Sequence, residues 1–137
     1  MRLVADANVF ISAFLKEGLT RKLWGKLEIT LYCPRFLLEE YAAYASELQK
    51  RAGYSDSESL ALAERLLRKV NFVSYDEFAA YLPAARTLTT DEKDETYVAC
   101  ALAIGADLWS RDRHLKNNRI KCWSTSELAT HFGYHLK

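Results

Sequence analysis

Short apolar runs alternate along the chain with longer stretches of helical period. Arg2–Ala5 has the pattern of a buried strand, and the apolar stretch after it continues as a helix to about Leu15. Leu19–Leu27 has helical character, while the β-branched and aromatic content of Glu28–Cys33 predicts a second strand. Pro34 suits the first turn of a long helix running to about Ala52. Ser55-Asp56-Ser57-Glu58 is a capping-box pattern that opens a further helix to about Val70. Asn71–Ser74 predicts a short strand, and Asp76–Leu82 a short helix ended near Pro83. The pattern then predicts a helix over about Asp94–Ile104, strands at Asp107–Ser110 and Arg119–Trp123, and a last helix capped by Ser124-Thr125-Ser126-Glu127.

Strands that alternate with helices argue for a mostly parallel sheet covered on both faces. In such sheets the ligand crevice lies beyond the carboxyl ends of the strands, where strand order reverses. Two acids stand at strand ends: Asp6 closes the first strand, and Asp112 follows the Asp107–Ser110 strand. Helical geometry adds two more. On the Pro34–Ala52 helix, Leu37, Tyr41, Tyr44 and Leu48 form an apolar stripe. Glu40 flanks that stripe, whereas Glu39 falls near the opposite face. On the later helix Tyr97, Ala101 and Ile104 share a face, with Glu95 pointing away and Asp94, alone among Asp91, Glu92, Asp94 and Glu95, directed inward.

Composition narrows the classes. A chain of 137 residues predicts one domain spanning 1–137, and 5 Gly and 2 Pro leave little room for a linker or an all-β chain of tight turns. A net charge of +1 advertises no global attraction to nucleic acid or membrane. The longest nearly uncharged stretch, Tyr97–Ala106, is half the roughly 20 residues that span a bilayer, and Asp6 interrupts the only N-terminal apolar segment. Cys33, Cys100 and Cys122 are far apart and have apolar neighbours, which reads as core cysteines in a reducing compartment. A soluble cytoplasmic protein with no membrane partner is the expectation.

Taken singly, Asp6 and Asp94 are ordinary strand-end and helix-start acids, the latter favoured by the helix dipole. Together, four carboxylates in one crevice cannot all ionise without compensation. A hard divalent cation is the usual compensation, and Mg²⁺ or Mn²⁺, as one or two ions, suits carboxylate and water ligands. Such ions bind a phosphodiester, activate water and stabilise a leaving oxygen.

Several segments are recognisable in this light. V-A-D-A-N-V-F-I-S-A at Val4–Ala13 resembles the opening motif of the PIN-domain ribonucleases. P-R-F-L-L-E-E-Y at Pro34–Tyr41, D-E-K-D-E-T-Y-V-A-C-A-L-A-I-G-A-D at Asp91–Asp107 and S-R-D-R-H-L at Ser110–Leu115 resemble the following ones, in the same order along essentially the whole chain. The resemblance implies an α/β/α sandwich with a central parallel sheet of four or five strands. It also implies Mg²⁺- or Mn²⁺-dependent endonucleolytic cleavage of single-stranded RNA. Asp6, Glu40, Asp94 and Asp112 match the family's acidic quartet, as both catalytic residues and metal ligands, with Asn8 and Ser110 in supporting positions. Many such proteins are toxins of VapBC-type pairs, so an antitoxin partner and a homodimer are further implications. Two departures stand out: Ala7 replaces the usual Thr or Ser, and Arg111 occupies a place where a smaller or uncharged residue is usual.

Other signals compete with or extend this reading. Arg111, Arg113 and Lys116, in the basic run Arg111–Lys121, are candidate RNA-backbone contacts, against a plain solvated connector. Arg21, Lys22 and Lys26 around Trp24 form a second basic cluster, though Trp24, Trp109 and Trp123 all read as core residues. His131 and His135 have metal-ligand spacing but flank Gly133, which makes a poor metal site. Two alternatives to a nuclease remain. One is a catalytically silent RNA-binding module of the same fold, which predicts a depleted quartet. The other is a phosphatase using Asp6 as nucleophile, which wants a second Asp where Asn8 stands.

Overall fold

The computed structural model describes residues 1–111 and 119–134; Asp112, Arg113, His114, Lys116 and His135 lie outside the described residues. Five strands form one all-parallel sheet: β1 (Arg2–Ala5), β2 (Thr30–Pro34), β3 (Val70–Val73), β4 (Asp107–Trp109) and β5 (Cys122–Trp123), in the order β3-β2-β1-β4-β5. The chain winds outward from the centre to β3, then crosses back to β4 on the other side of β1. Strand order therefore reverses between β1 and β4, and a crevice is expected beyond their carboxyl ends.

Strand periodicity divides the core in two. Leu3, Ala5, Leu31, Cys33 and Trp109 face one side, where they pack with α1 (Ala7–Leu15), α2 (Leu19–Trp24), α3 (Phe36–Ala52), α4 (Asp56–Arg68) and α8 (Thr125–His131). Val4, Leu108 and Val73 face the other side, against α5 (Tyr75–Phe78), α6 (Leu82–Arg86) and α7 (Glu92–Ile104). The result is a three-layer α/β/α sandwich, as the alternation of elements predicts. Trp24 and Trp109 are fully buried and Trp123 nearly so. Each indole N–H finds an acceptor, on Leu66 O, Thr125 Oγ1 and Asp107 Oδ2 respectively, so the tryptophans are core residues.

Capping sets several of the boundaries. Ser55 with Glu58, and Ser124 with Glu127, form complete capping boxes that start α4 and α8 where the sequence pattern puts them. Gly53 ends α3 in the left-handed region at φ 76, a conformation that costs a glycine nothing sterically. Three expectations are corrected. Pro34 closes β2 and the long helix begins at Phe36. The Leu19–Leu27 helix stops at Trp24, where Gly25 caps it. Pro83 lies in the first turn of α6 and opens that helix, after α5 and a 3₁₀ turn at Ala79–Tyr81; a first-turn proline loses no intrahelical hydrogen bond.

Candidate active site

Asp6 and Ser110 are the first residues beyond β1 and β4. The sheet ladder reaches them both: Asp6 N–H donates to Trp109 O at 3.2 Å, and Ser110 N–H to Trp123 O at 3.0 Å. This holds their side chains at the point of strand reversal, where the Ser110 hydroxyl donates to Asp6 Oδ2. The other carboxylate oxygen of Asp6 accepts from Val9 N–H at 3.0 Å and caps α1. Asp6 is 5% exposed and Ser110 is 3% exposed, so each depends on the other's polar atoms for its burial.

A cleft of about 390 Å³ opens over Asp6, and both Glu40 and Asp94 line it. Glu40 comes from α3, on one face of the sheet, and is half-buried, whereas Glu39 is exposed. Its Oε1 accepts a hydrogen bond of 2.5 Å from the hydroxyl of Tyr97 on α7, which belongs to the opposite layer. Burial and this carboxylate together push the Tyr97 phenol far above its ordinary range, so it stays a donor. Asp94 stands one helical turn before Tyr97 and is half-buried, with its Oδ2 shielded from solvent. Asp91, the N-cap of α7, also lines the cleft. The N-terminal ends of α1 and α7 thus both open on the carboxylates, and their dipoles offset part of the negative charge.

Glu40 and Asp94, the acids that the helical wheels turn inward, both line this cleft, and two details differ from the wheels. Tyr44 is 53% exposed, so it stands at the rim of the cleft and not in a buried stripe. Glu95 points away from the cleft as expected, and its carboxylate pairs with Arg86 of α6 at 3.3 Å. Three contributors escape the sequence pattern, and one of them, Asp91, corrects the expectation that Asp94 alone among the acids at this helix start turns inward. The Tyr97 hydroxyl was detectable, because a buried tyrosine needs a partner for its O–H. Asp91 carried an N-cap signal one residue before an acidic helix. Lys93, which also lines the cleft, carried none.

The model of the PIN domain matches residues 4–133. The chain belongs to the PIN domain family. Among solved structures, this PIN domain is similar in fold to a chain of VapBC2 from Rickettsia felis bound to a DNA fragment from their promoter. The two share 15% sequence identity and a TM-score of 0.69, over 90% of this chain and 98% of that one. No curated protein matches the sequence.

Within this PIN domain, Asp6, Glu40 and Asp94 share the cleft, and Asn8 lines it on the exposed face of α1. Ser110 lies beneath, bonded to Asp6. Ala7, the departure from the usual hydroxyl residue, also lines the cleft, and Ser110 supplies a hydroxyl to the same carboxylate. Arg111 is exposed and its guanidinium donates to Ser12 Oγ on α1 at 3.4 Å. Asp112, Arg113 and Lys116 fall outside the described residues. Among the described residues, no three His, Cys, Asp or Glu side chains form a metal cluster by themselves. The donor chemistry of the cleft nevertheless fits a hard cation: carboxylate oxygens from three elements, with no thiolate or imidazole among the described lining residues.

Two of the three cations of the second basic cluster, Arg21 and Lys26, are structural. Arg21 donates to the carbonyls of Ala13 and Phe14 and to the Tyr54 hydroxyl, closing the end of α1. Lys26 pairs with Glu28 at 2.8 Å and lies over the rings of Phe132 and Tyr134. No described helix is long and apolar enough to cross a membrane.

Proposed function

We propose that this PIN domain is a metal-dependent endoribonuclease acting on single-stranded RNA, and the toxin member of a VapBC-type pair. The observation that carries the proposal is the meeting of Asp6, Glu40 and Asp94, from three separate elements, in one cleft at the strand reversal. Asp6, Glu40, Asp94 and Asp112 would hold one or two Mg²⁺ or Mn²⁺ ions. Bound there, a divalent cation supplies Lewis acidity: it favours ionisation of water near neutral pH and offsets charge building up on a phosphate.

The chain's own residues prepare that chemistry. Val9 N–H and the Ser110 hydroxyl fix both oxygens of Asp6, so its orientation does not depend on the substrate. The Tyr97 hydroxyl fixes one oxygen of Glu40, a residue that lines the cleft. Water attacks phosphorus and the bond to the leaving oxygen breaks, with no covalent enzyme intermediate. Likeness in fold to a chain of a toxin–antitoxin complex supports an antitoxin as partner, and a homodimer belongs to the same reading.

The test is cleavage of a fluorophore-quencher single-stranded RNA by purified protein. Turnover should appear with Mg²⁺ or Mn²⁺ and vanish with chelator. Glu40→Gln should cost at least about 100-fold, and Glu39→Gln little, because only Glu40 enters the cleft. Turnover undiminished by chelator, or equal losses at the two positions, would refute the proposal.

A further inference from the structure

The acidic cleft is not closed at its outer end. It shares Asn8, Ile11 and Tyr44 with a shallower depression between α1 and α3. That depression shares Ser12 and Arg111 with a third, which reaches Ser110 on one side and Lys16 on the other. The three form one groove across the outer face of α1, along which Asn8, Ser12 and Lys16 recur one helical turn apart. At 1.5 Å per residue this face is about 12 Å long.

Charge changes sign along the groove. The cleft holds Asp6, Glu40, Asp91 and Asp94, with Lys93 at its edge. Beyond it stand Lys16, Arg51 and Arg111, against Glu47 and Glu127. Among the described residues none of these three cations makes an ion pair, in contrast to Lys26 and Arg86, which are committed to Glu28 and Glu95. At the junction lies Tyr44, 53% exposed on α3, next to the half-buried Tyr41 that packs edge-on against Phe10 and Phe14. An open aromatic ring beside a short row of cations is the combination that binds unpaired bases and their phosphates. An acidic polypeptide would use the cations but gains little from the ring.

We propose that this groove carries a single strand of RNA away from the cut site. Lys16, Arg51 and Arg111 hold its phosphates, and Tyr44 stacks on the base next to the scissile bond. The inference rests on the ribonuclease reading of the cleft. It is tested by fluorescence anisotropy with a labelled single-stranded RNA of about 12 nucleotides, in an Asp94→Asn background that prevents cleavage. Affinity is measured from about 50 to 200 mM salt. The variants are the triple Lys16→Ala/Arg51→Ala/Arg111→Ala, the single changes Tyr44→Ala and Tyr44→Phe, and a control triple, Lys22→Ala/Arg65→Ala/Arg68→Ala, none of which lines the groove.

Three lost single-strand phosphate contacts should lower the log–log salt slope by about 2, so the affinity ratio across that range shrinks by roughly 18-fold. The control triple should leave it unchanged. Tyr44→Ala should weaken single-stranded RNA by about 5- to 150-fold and spare a duplex, whose bases are already stacked, while Tyr44→Phe keeps full affinity. RNA bound as tightly and with the same slope by the groove triple overturns the groove and leaves the ribonuclease reading standing. No RNA binding by the Asp94→Asn parent at any salt overturns both. Competition by polyglutamate as strong as by RNA, insensitive to Tyr44→Ala, overturns the RNA assignment in favour of an acidic polypeptide.

Discussion

Tyr97→Phe removes one oxygen from the protein and tests how the two outer layers meet over the cleft. The ring is 2% exposed, so its packing and volume are retained while the hydroxyl is lost. That hydroxyl donates to Glu40 Oε1, and a hydrogen bond to a charged group contributes about 1.5–3 kcal/mol. Glu40 is only half-buried and water can replace the lost donor, which places the expected loss at the lower end, about 1–2 kcal/mol. For a domain of this size that is a fall in Tm of several degrees. The assay is a double-mutant cycle in urea: Tyr97→Phe, Glu40→Gln and the pair, with Glu39→Gln as a parallel partner. The coupling between Tyr97 and Glu40 should reach about 1 kcal/mol, and that between Tyr97 and the exposed Glu39 should be near zero. Additivity of Tyr97→Phe and Glu40→Gln within about 0.3 kcal/mol would refute the claim that the hydroxyl holds the carboxylate.

Other perturbations separate structural from chemical roles. Asp6→Asn should abolish RNA cleavage with stability nearly unchanged, because Asn also caps helices, whereas Asp6→Ala should cost about 0.5–2 kcal/mol in urea unfolding through the lost cap on α1. Arg21→Met should destabilise by about 1–3 kcal/mol, since it strips donors from the Ala13 and Phe14 carbonyls; thermal melting checks it, and an unchanged Tm would contradict it. Burial pushes the Cys100 thiol up to about 12 and the Cys33 thiol well above its usual value, while both ionise near pH 9 in the unfolded chain. Stability is therefore whole below about pH 8.5 and is lost as pH rises from about 9 towards 12, by roughly 1.4 kcal/mol per pH unit for each thiol; a urea midpoint that stays flat to pH 11, or is no less sloped in Cys100→Ala, would contradict this.

Much of the site was legible because its signals are local. Asp6 is visible as the first polar residue after the apolar run Leu3–Ala5, and the wheels separate Glu40 from Glu39 using nothing beyond their own helix. Ser55 and Ser124 announce helix starts by side chains that satisfy the first backbone N–H groups. The misses share a different origin. Pro83 is compatible with stopping one helix or starting the next, and only packing of α6 against α7 decides. Because α6 is not foreseen, its Arg86 cannot be either, and the wheel turns Glu95 away from the buried face without naming its partner. The Tyr97 hydroxyl meets a residue 57 positions away, from the opposite layer of the sheet. The groove over α1 likewise brings Arg51 and Arg111 to one surface, and no period along the chain encodes that approach.

The central claim is that carboxylates from separate elements act together as one divalent-metal site. Titration of Mn²⁺ into the purified protein, read by the loss of its free-ion electron paramagnetic resonance signal, tests it without relying on catalysis. The wild type should bind one or two Mn²⁺ ions, Asp6→Asn and Asp94→Asn should each lose at least about tenfold in affinity, and Glu39→Gln should match the wild type. Mn²⁺ affinity unchanged in both Asp6→Asn and Asp94→Asn, with both variants folded by circular dichroism, would contradict the account.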